Sequence, residues 1–278
     1  MVNFNGEIIE QETIVSQNRA FLYGDAVFET VKVVEGKVLF MEDHYFRLMA
    51  SMRIVRMQIP MEFTLENLEQ SILDLAIKNG CSDCGRVRIT VFRNPGGFYL
   101  PTDRNVSFLI AATKLESKTY GFTDEPYEVE LFKDFYIPKH LLSTIKSTNK
   151  LIHTVGSIYA DENGYQNCLL LNEEKRVVEA LNGNVFLISG NRLVTPPLSE
   201  GCLNGIMRKQ ILAIARKEDG LTVVEESISP FDLQKADELF ITNVVLGIKP
   251  VTKYRKKEFV TKWSTILLEK INQSIEIN

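Results

Sequence analysis

A chain of 278 residues with 45% hydrophobic and 24% charged residues can bury a core without help from metals or disulfides. Its net charge of −4 gives no electrostatic case for nucleic acid or an anionic membrane as the main partner. No apolar run reaches the length of a membrane span, and the opening MVNFNGEIIEQETIV has neither the basic nor the long apolar region of a secretory signal, so the expected compartment is the cytoplasm.

In chain order, VNFNGEII, a turn and then a strand through FETVKVVEGKVLF read as a hairpin, with Glu35–Gly36 lying between β-branched runs as a hairpin turn does. Apolar Met41, Tyr45, Leu48, Met49 and Met52 recur at helical spacing and predict a helix from about Met41 to Arg56. FTLENLEQSILDLAIKNG is a second helix, with Thr64 as N-cap and Gly80 as stop. RVRITVFR and VSFLIAAT are strands. The polar LESKTYGFTDEPY, broken by Gly and Pro, reads as the link between two halves. The second half opens on a strand, YEVELFKDF. PKHLLSTIKSTNKLIHTVGSIYADENG then ends as a helix capped near Gly164. NCLLLNEEKRVVEALNGNVFLISGNRLVTPP predicts three short strands, with turns at Asn172–Lys175 and Gly190–Asn191. NGIMRKQILAIARKEDG is a helix closed by Gly220. LTVVEESI and ELFITNVVLGIKPV are strands flanking a helical turn at FDLQKAD, and VTKWSTILLEKINQSI is an amphipathic helix. The sum is a two-domain α+β or α/β protein: a small N-terminal domain over 1–115, a linker over 116–124 and a larger domain over 125–278. Cys81 and Cys84 form a single C-x-x-C with no second pair for a zinc ribbon. With Cys168 and Cys202, they read as ordinary reduced thiols.

Four separated features bear on chemistry, each with an ordinary reading beside it. Lys146, in TIKSTNKLIH, is flanked by small polar residues that can hold it in a site, although most lysines are surface charges. Glu179 follows an apolar pair and precedes LNGN. It is either a solvated strand-end carboxylate or one that pairs with a protonated pyridine nitrogen. Gly205 opens the helix after LNGIMR, where the backbone N–H groups of Ile206 and Met207 can point at an anion; a plain helix start has the same sequence. Arg47, mid-helix in EDHYFRLMAS, can grip a phosphate with two parallel hydrogen bonds or stand exposed.

NRAFLYGDAVFETVKV, EDHYFRL, IKSTNKL, VVEALNGNVF, TPPLSEGCLNGIMR and ADELFITNVVLGIKPV resemble, in order and over nearly the whole chain, the class IV aminotransferase family. This fold-type IV group of pyridoxal-phosphate enzymes includes branched-chain and D-amino acid aminotransferases and 4-amino-4-deoxychorismate lyases. The resemblance implies a two-domain fold like that of D-amino acid aminotransferase, with the active site between domains, a homodimer, and pyridoxal 5′-phosphate on Lys146 in the C-terminal domain. It further implies Glu179 at the pyridine nitrogen, Arg47 on the phosphate, Leu203 packed on the ring, and the amides of Ile206 and Met207 on the phosphate, beside Gly205.

Departures bear on the reaction. Phe28 stands before Glu29 where the aminotransferases often have tyrosine, and Val244 stands where they have a phosphate-binding threonine, leaving Thr242 or Asn243 to supply a polar group. RVRITVFRNPGGFYLP lacks the Arg-x-His carboxylate trap of the D-amino acid enzymes. Arg86, Arg88 and Arg93 are the candidates for a substrate carboxylate, and alternation puts Arg93 on the opposite face from the other two. FLYG-x-x-VFET, the GG after VFRNP, LNGIMR and the TN of ITNVVLGIKP are more like the lyase branch. The expected reaction is therefore removal of pyruvate from 4-amino-4-deoxychorismate to give 4-aminobenzoate, a step of folate biosynthesis. Transamination of branched-chain or D-amino acids is the near-equal alternative, and a cofactor-binding protein without turnover is the third. Binding alone does not need Glu179.

Overall fold

The computed structural model describes residues 1–10, 16–122 and 125–276, so positions 123 and 124 of the expected linker lie outside the described residues. Contacts divide the chain into two units, Met1–Lys118 with Ile145–Asn149, and Thr119–Thr144 with Lys150–Asn278. The second unit begins inside the expected linker because Tyr120 is already buried in it. The Tyr120 hydroxyl donates to the Val244 carbonyl at 2.7 Å.

The first unit carries β1 (Val2–Phe4), β2 (Glu7–Ile9), α1 (Arg19–Tyr23), β3 (Ala26–Val34), β4 (Lys37–Val38), α2 (Met41–Ile54), α3 (Leu65–Lys78), β5 (Cys84–Arg93) and β6 (Val106–Lys114). The strands form an antiparallel sheet in the order β2-β1-β6-β5-β3-β4. Both residues of the Glu35–Gly36 turn have positive φ, 51° and 74°, the geometry that matches the twist of a two-residue hairpin. Thr64 caps α3 by accepting from the Asn67 amide. Val27, Val31, Val33, Val87, Ile89 and Val91 pack against Leu48 and Met52 of α2 and Ile72 and Leu75 of α3. Glu29 belongs to the same alternation, which delivers its carboxylate to the helix-covered face. The other face carries Phe28, Thr30 and Lys32, opposite Thr90, Arg88 and Arg86 in register.

The second unit carries β7 (Glu128–Ile137), α4 (Leu151–Glu162), β8 (Asn167–Asn172), β9 (Val177–Ala180), β10 (Gly183–Ser189), β11 (Arg192–Thr195), α5 (Ile206–Ala215), β12 (Thr222–Glu225), α6 (Pro230–Lys235), β13 (Glu238–Asn243), β14 (Gly247–Pro250), β15 (Lys253–Tyr254), β16 (Lys257–Glu258) and α7 (Lys262–Glu276). β7 and β8 are parallel, with α4 as their crossover. β10 shares one edge between β9 and β11 and gives the other to β13.

Two predicted elements are divided in the structure. The stretch 167–195 holds four strands rather than three, because the chain turns at Leu181–Asn182 inside what reads as one apolar run. Asn182 fixes that turn by accepting from Asn167 Nδ2 at 2.9 Å, and a Cβ on Gly183 would lie 2.6 Å from the Thr242 carbonyl. ELFITNVVLGIKPV breaks at 244–246, where Asn243 Oδ1 accepts from the amides of Val245 and Leu246. Among the described residues no helix is long and apolar enough to cross a membrane.

Candidate active site

In the first unit, Ile145–Asn149 runs against the free edge of β3. The Phe28 amide donates to the Lys146 carbonyl at 2.8 Å, the Thr148 amide to the Ala26 carbonyl at 3.1 Å, and Val27 and Ser147 form an antiparallel bridge. These bonds are why Lys146, expected in the C-terminal domain, groups with the first unit. Thr148 Oγ1 and Asn149 Nδ2 both donate to the carbonyl of Gly24 at 3.1 Å. Gly24 sits at φ 62°, and a Cβ there would come within 2.4 Å of Asn149, so the glycine of FLYG is what lets the lysine segment close on β3. Lys146 Nζ lies 4.8 Å from the centre of the Phe28 ring, and the Arg88 guanidinium carbon lies 3.6 Å from it. Burial, and then the nearby Arg86 charge, lower the pKa of Arg88 from its ordinary value.

Arg47 reaches back from α2 to Glu29. Its Nε donates to Oε1 at 2.7 Å and its Nη2 to Oε2 at 2.6 Å, while His44 Nδ1 lies 2.6 Å from Oε2. Burial alone would raise the pKa of Glu29. The Arg47 charge and the His44 hydrogen bond outweigh it and bring the pKa down to about 2. Glu29 is therefore ionised, and His44 Nδ1 carries the shared proton.

Arg93 has a different task from the substrate binding proposed for it from sequence. Its guanidinium donates to Asp25 and to the carbonyls of Val55 and Arg56. Asp25 also accepts from Arg19. The buried Arg93 thus clamps the start of β3 to the end of α2, which leaves Arg88 and Arg86 as the arginines on the Phe28 face.

In the second unit, Glu179 of β9 is the register partner of Asn184 of β10, and Asn184 is that of Thr242 of β13. Neighbouring partners share a face, so these three polar side chains form one row across three strands. Residues 203–205 lie over the row. The Leu203 amide donates to Glu179 Oε2 at 2.8 Å, and Asn184 Nδ2 donates to the Leu203 carbonyl at 2.8 Å. A Cβ on Gly205 would stand 1.9 Å from Asn184 Oδ1. Gly205 is the N-cap of α5 and carries no side-chain cap, so the first-turn amides of Ile206 and Met207 are left for another acceptor. Thr242 is buried, and its hydroxyl has no hydrogen-bond partner among the described residues. Asn243 spends its side chain on the turn after β13. His153 of α4 brings Nε2 to 3.0 Å from Glu179 Oε1. Burial opposes ionisation of Glu179, but the His153 hydrogen bond and the Lys150 charge bring its pKa below the ordinary value.

Residues 26–254 match the family described as Amino-transferase class IV. The chain belongs to the class IV aminotransferase family. It is 30% identical over 263 residues to a Methanocaldococcus jannaschii protein provisionally named a branched-chain-amino-acid aminotransferase, covering 90% of this chain and 86% of that one. A D-alanine aminotransferase of Listeria monocytogenes is 28% identical over 258 residues, 89% of this chain and 85% of its own. The crystal structure of a Legionella pneumophila protein, provisionally named a 4-amino-4-deoxychorismate lyase, has a TM-score of 0.83 at 25% identity, covering 95% of this chain and 96% of that one. Class IV enzymes use pyridoxal 5′-phosphate, and branched-chain aminotransferase structures of this fold hold it or its aminated form. The polar row fits such a group. Glu179 can accept from a pyridine N–H, the orphaned Thr242 hydroxyl can donate to a phosphate oxygen, and Gly205, which packs on Asn184 only because it lacks a Cβ, starts α5 with its first amides uncapped by a side chain.

Asn184, His153, Lys150, Glu29 and His44 were not singled out from sequence, although a signal was present for most. Glu29 interrupts the apolar series Val27, Val31, Val33, and such a carboxylate needs a partner. His44 and Arg47, three apart on the next helix, share a face and supply it. Lys150 and His153 have the same spacing. Nothing in the sequence marks Asn184. All four cysteines are free and buried, and burial raises the pKa of Cys81, so the C-x-x-C contributes packing.

Proposed function

We propose that this class IV enzyme acts on an amino-acid-like substrate with two anionic groups, by chemistry at Lys146, and that its reaction is removal of pyruvate from 4-amino-4-deoxychorismate. The observation that carries this reading is the face around Phe28. An amine and a guanidinium both lie over one ring, and Arg86 and the buried Lys32 continue the line of positive charge along β5 and β3. An amine and one carboxylate need only Lys146 and Arg88. The additional cations suit a second carboxylate, and the ring face suits an unsaturated ring.

Lys146 takes the proton from the carbon that bears the substrate amine. The carbon–oxygen bond to the enolpyruvyl group then breaks, and protonation of the released enolpyruvate gives pyruvate as the ring becomes aromatic. Pyridoxal 5′-phosphate, when bound, supplies the sink for the electrons left at that carbon. Glu179 holds the pyridine nitrogen protonated. Thr242 and the amides of Ile206 and Met207 would hold the phosphate, and Leu203 would pack on the ring, while Arg47, expected on the phosphate from the resemblance, grips Glu29. Transamination is the second reading, favoured by the full-length relatives named as aminotransferases.

The test supplies purified enzyme with 4-amino-4-deoxychorismate, or with branched-chain or D-amino acids and no keto acid. Release of 4-aminobenzoate and pyruvate supports the lyase. Build-up of aminated cofactor with the amino acids, without 4-aminobenzoate release, assigns transamination. Lys146→Ala abolishes either activity and the visible absorption of the bound cofactor; survival of that absorption would place the covalent bond on another lysine. The chain also works as a cytosolic homodimer in this reading. Phe21 and Leu22 of α1 and Phe98, Tyr99 and Leu100 are exposed, and Arg19 ties the two segments into one apolar patch by donating to the carbonyls of Gly96 and Phe98. Light scattering of the purified protein checks the dimer.

A further inference from the structure

We propose that His153 is a positioning residue for Glu179: its Nε2–H holds one carboxylate oxygen so that the ionised carboxylate stays aimed at the pyridine nitrogen of the cofactor. This rests on the reading that Glu179 meets that nitrogen.

Glu179 receives one donor on each oxygen, His153 Nε2 at 3.0 Å on Oε1 and the Leu203 amide at 2.8 Å on Oε2. Two donors from different elements fix the plane of the carboxylate and still leave each oxygen a lone pair for a third. The groups acting on Glu179 are His153, Lys150 at the start of α4, and the buried Cys202 thiol beside Leu203. His153 is the one of these that meets the carboxylate through a side-chain hydrogen bond.

A purely structural role explains His153 poorly. α4 is already docked without it: a Cβ on Gly156 would meet Leu181 at 2.5 Å, and Ala160, Val155 and Tyr159 pack into the cluster with Phe132 and Leu170. As a packing residue the imidazole is costly, because its Nδ1 is buried with no partner among the described residues. The arrangement makes sense when the N–H at Nε2 is the part required. Since Glu179 is an acceptor, the proton sits on Nε2, and the bare Nδ1 is the consequence.

The experiment measures the affinities of the apoenzyme for pyridoxal 5′-phosphate and for its 1-deaza analogue, whose ring has carbon in place of the nitrogen. A change that merely loosens the fold weakens both. Loss of an oriented carboxylate weakens the natural cofactor and relieves the analogue, which must otherwise place a C–H against a charge. His153→Phe is expected to lower the ratio of the two affinities about tenfold, the equivalent of one pKa unit of differential interaction, and His153→Gln, which keeps an N–H donor, to leave it within about twofold. Should the phenylalanine variant not fold, His153→Ala supplies the same donor-free arm. Glu179→Gln is measured alongside. If Glu179→Gln leaves the ratio unchanged, the reading of Glu179 fails, and this inference fails with it. If Glu179→Gln lowers the ratio and the donor-free His153 variants do not, the inference alone is overturned. Equal losses in His153→Phe and His153→Gln also overturn it, because the donor would then not be what matters.

Discussion

The two units each bury a glutamate on a strand, and each glutamate is met by a histidine and a cation three residues apart: His44 and Arg47 of α2 at Glu29, and His153 of α4 with Lys150 at its start at Glu179. Glu29 is gripped by both edges of the contact: Arg47 occupies its two oxygens at once and His44 shares one of them. Glu179 takes a single donor on each oxygen, and its cation, Lys150, acts through charge. In the first cluster the carboxylate accepts three donors, two from Arg47 and one from His44. The second holds its carboxylate ionised and in place while keeping lone pairs for something else. Two carboxylates with the same kinds of neighbour thus differ by where the cation sits: one is a brace, and the other is the receptor of the proposed reading.

The largest effect should come from removing the brace. Glu29→Leu leaves Arg47 and His44 facing an apolar group in the interior, which costs about 3–5 kcal/mol, read as a fall in the urea midpoint. Glu179→Leu strands His153 and one amide and should cost about 1–3 kcal/mol. Equal losses at the two sites would break the distinction.

A smaller effect is the response to acid. The folded pKa of Glu29, about 2, lies below the ordinary 4.5. A depressed carboxylate stabilises the fold above its unfolded pKa, and that stability disappears as pH falls through the folded value. About 3 kcal/mol should therefore be lost between pH 4.5 and pH 2. Glu29→Gln removes the titration and should flatten that window relative to its own stability at neutral pH, measured by urea unfolding at successive pH values. Glu179→Gln should alter it less, because the carboxylate it replaces has no arginine grip.

Local order explains how far the sequence could be read. The strands β3, β5 and β6 and the helices α2 and α3 are written in alternation and helical spacing, and Thr64 and Gly80 mark the ends of α3, so their positions emerge from neighbours in sequence. The turns at Leu181–Asn182 and at 244–246 were hidden because each interrupts a run of residues that is apolar on both sides of the break. The site was legible as a set of types, Lys146, Glu179, Gly205 and Thr242, through the family resemblance. What joins them was not. Ile145–Asn149 belongs to β3 through bonds between positions more than a hundred residues apart, and the row Glu179, Asn184, Thr242 exists only once three strands fix a register. Periodicity says which face a side chain takes and is silent on which partner arrives there. Arg93 shows the same limit. Its type suits a carboxylate of substrate, and the fold gives it Asp25 instead.

The smallest expected change in stability is also the one that best separates receptor from brace. Thr242 lies 1% exposed between β10 and β14, and its hydroxyl has no partner among the described residues. An unpaired buried hydroxyl is a cost to the fold, and valine has nearly the same shape. Thr242→Val should therefore unfold within about 1 kcal/mol of the parent protein, and on the stable side if it moves at all. If the hydroxyl donates to phosphate, the same change should weaken pyridoxal 5′-phosphate binding about five- to tenfold, the worth of one hydrogen bond to a charged acceptor, and leave unphosphorylated pyridoxal unaffected. A brace behaves in the opposite way: its removal lowers the unfolding midpoint before any ligand is added. An apoprotein destabilised by Thr242→Val would mean that the hydroxyl serves the fold, and the second unit would lose the one polar group that the fold itself leaves unmatched on the row.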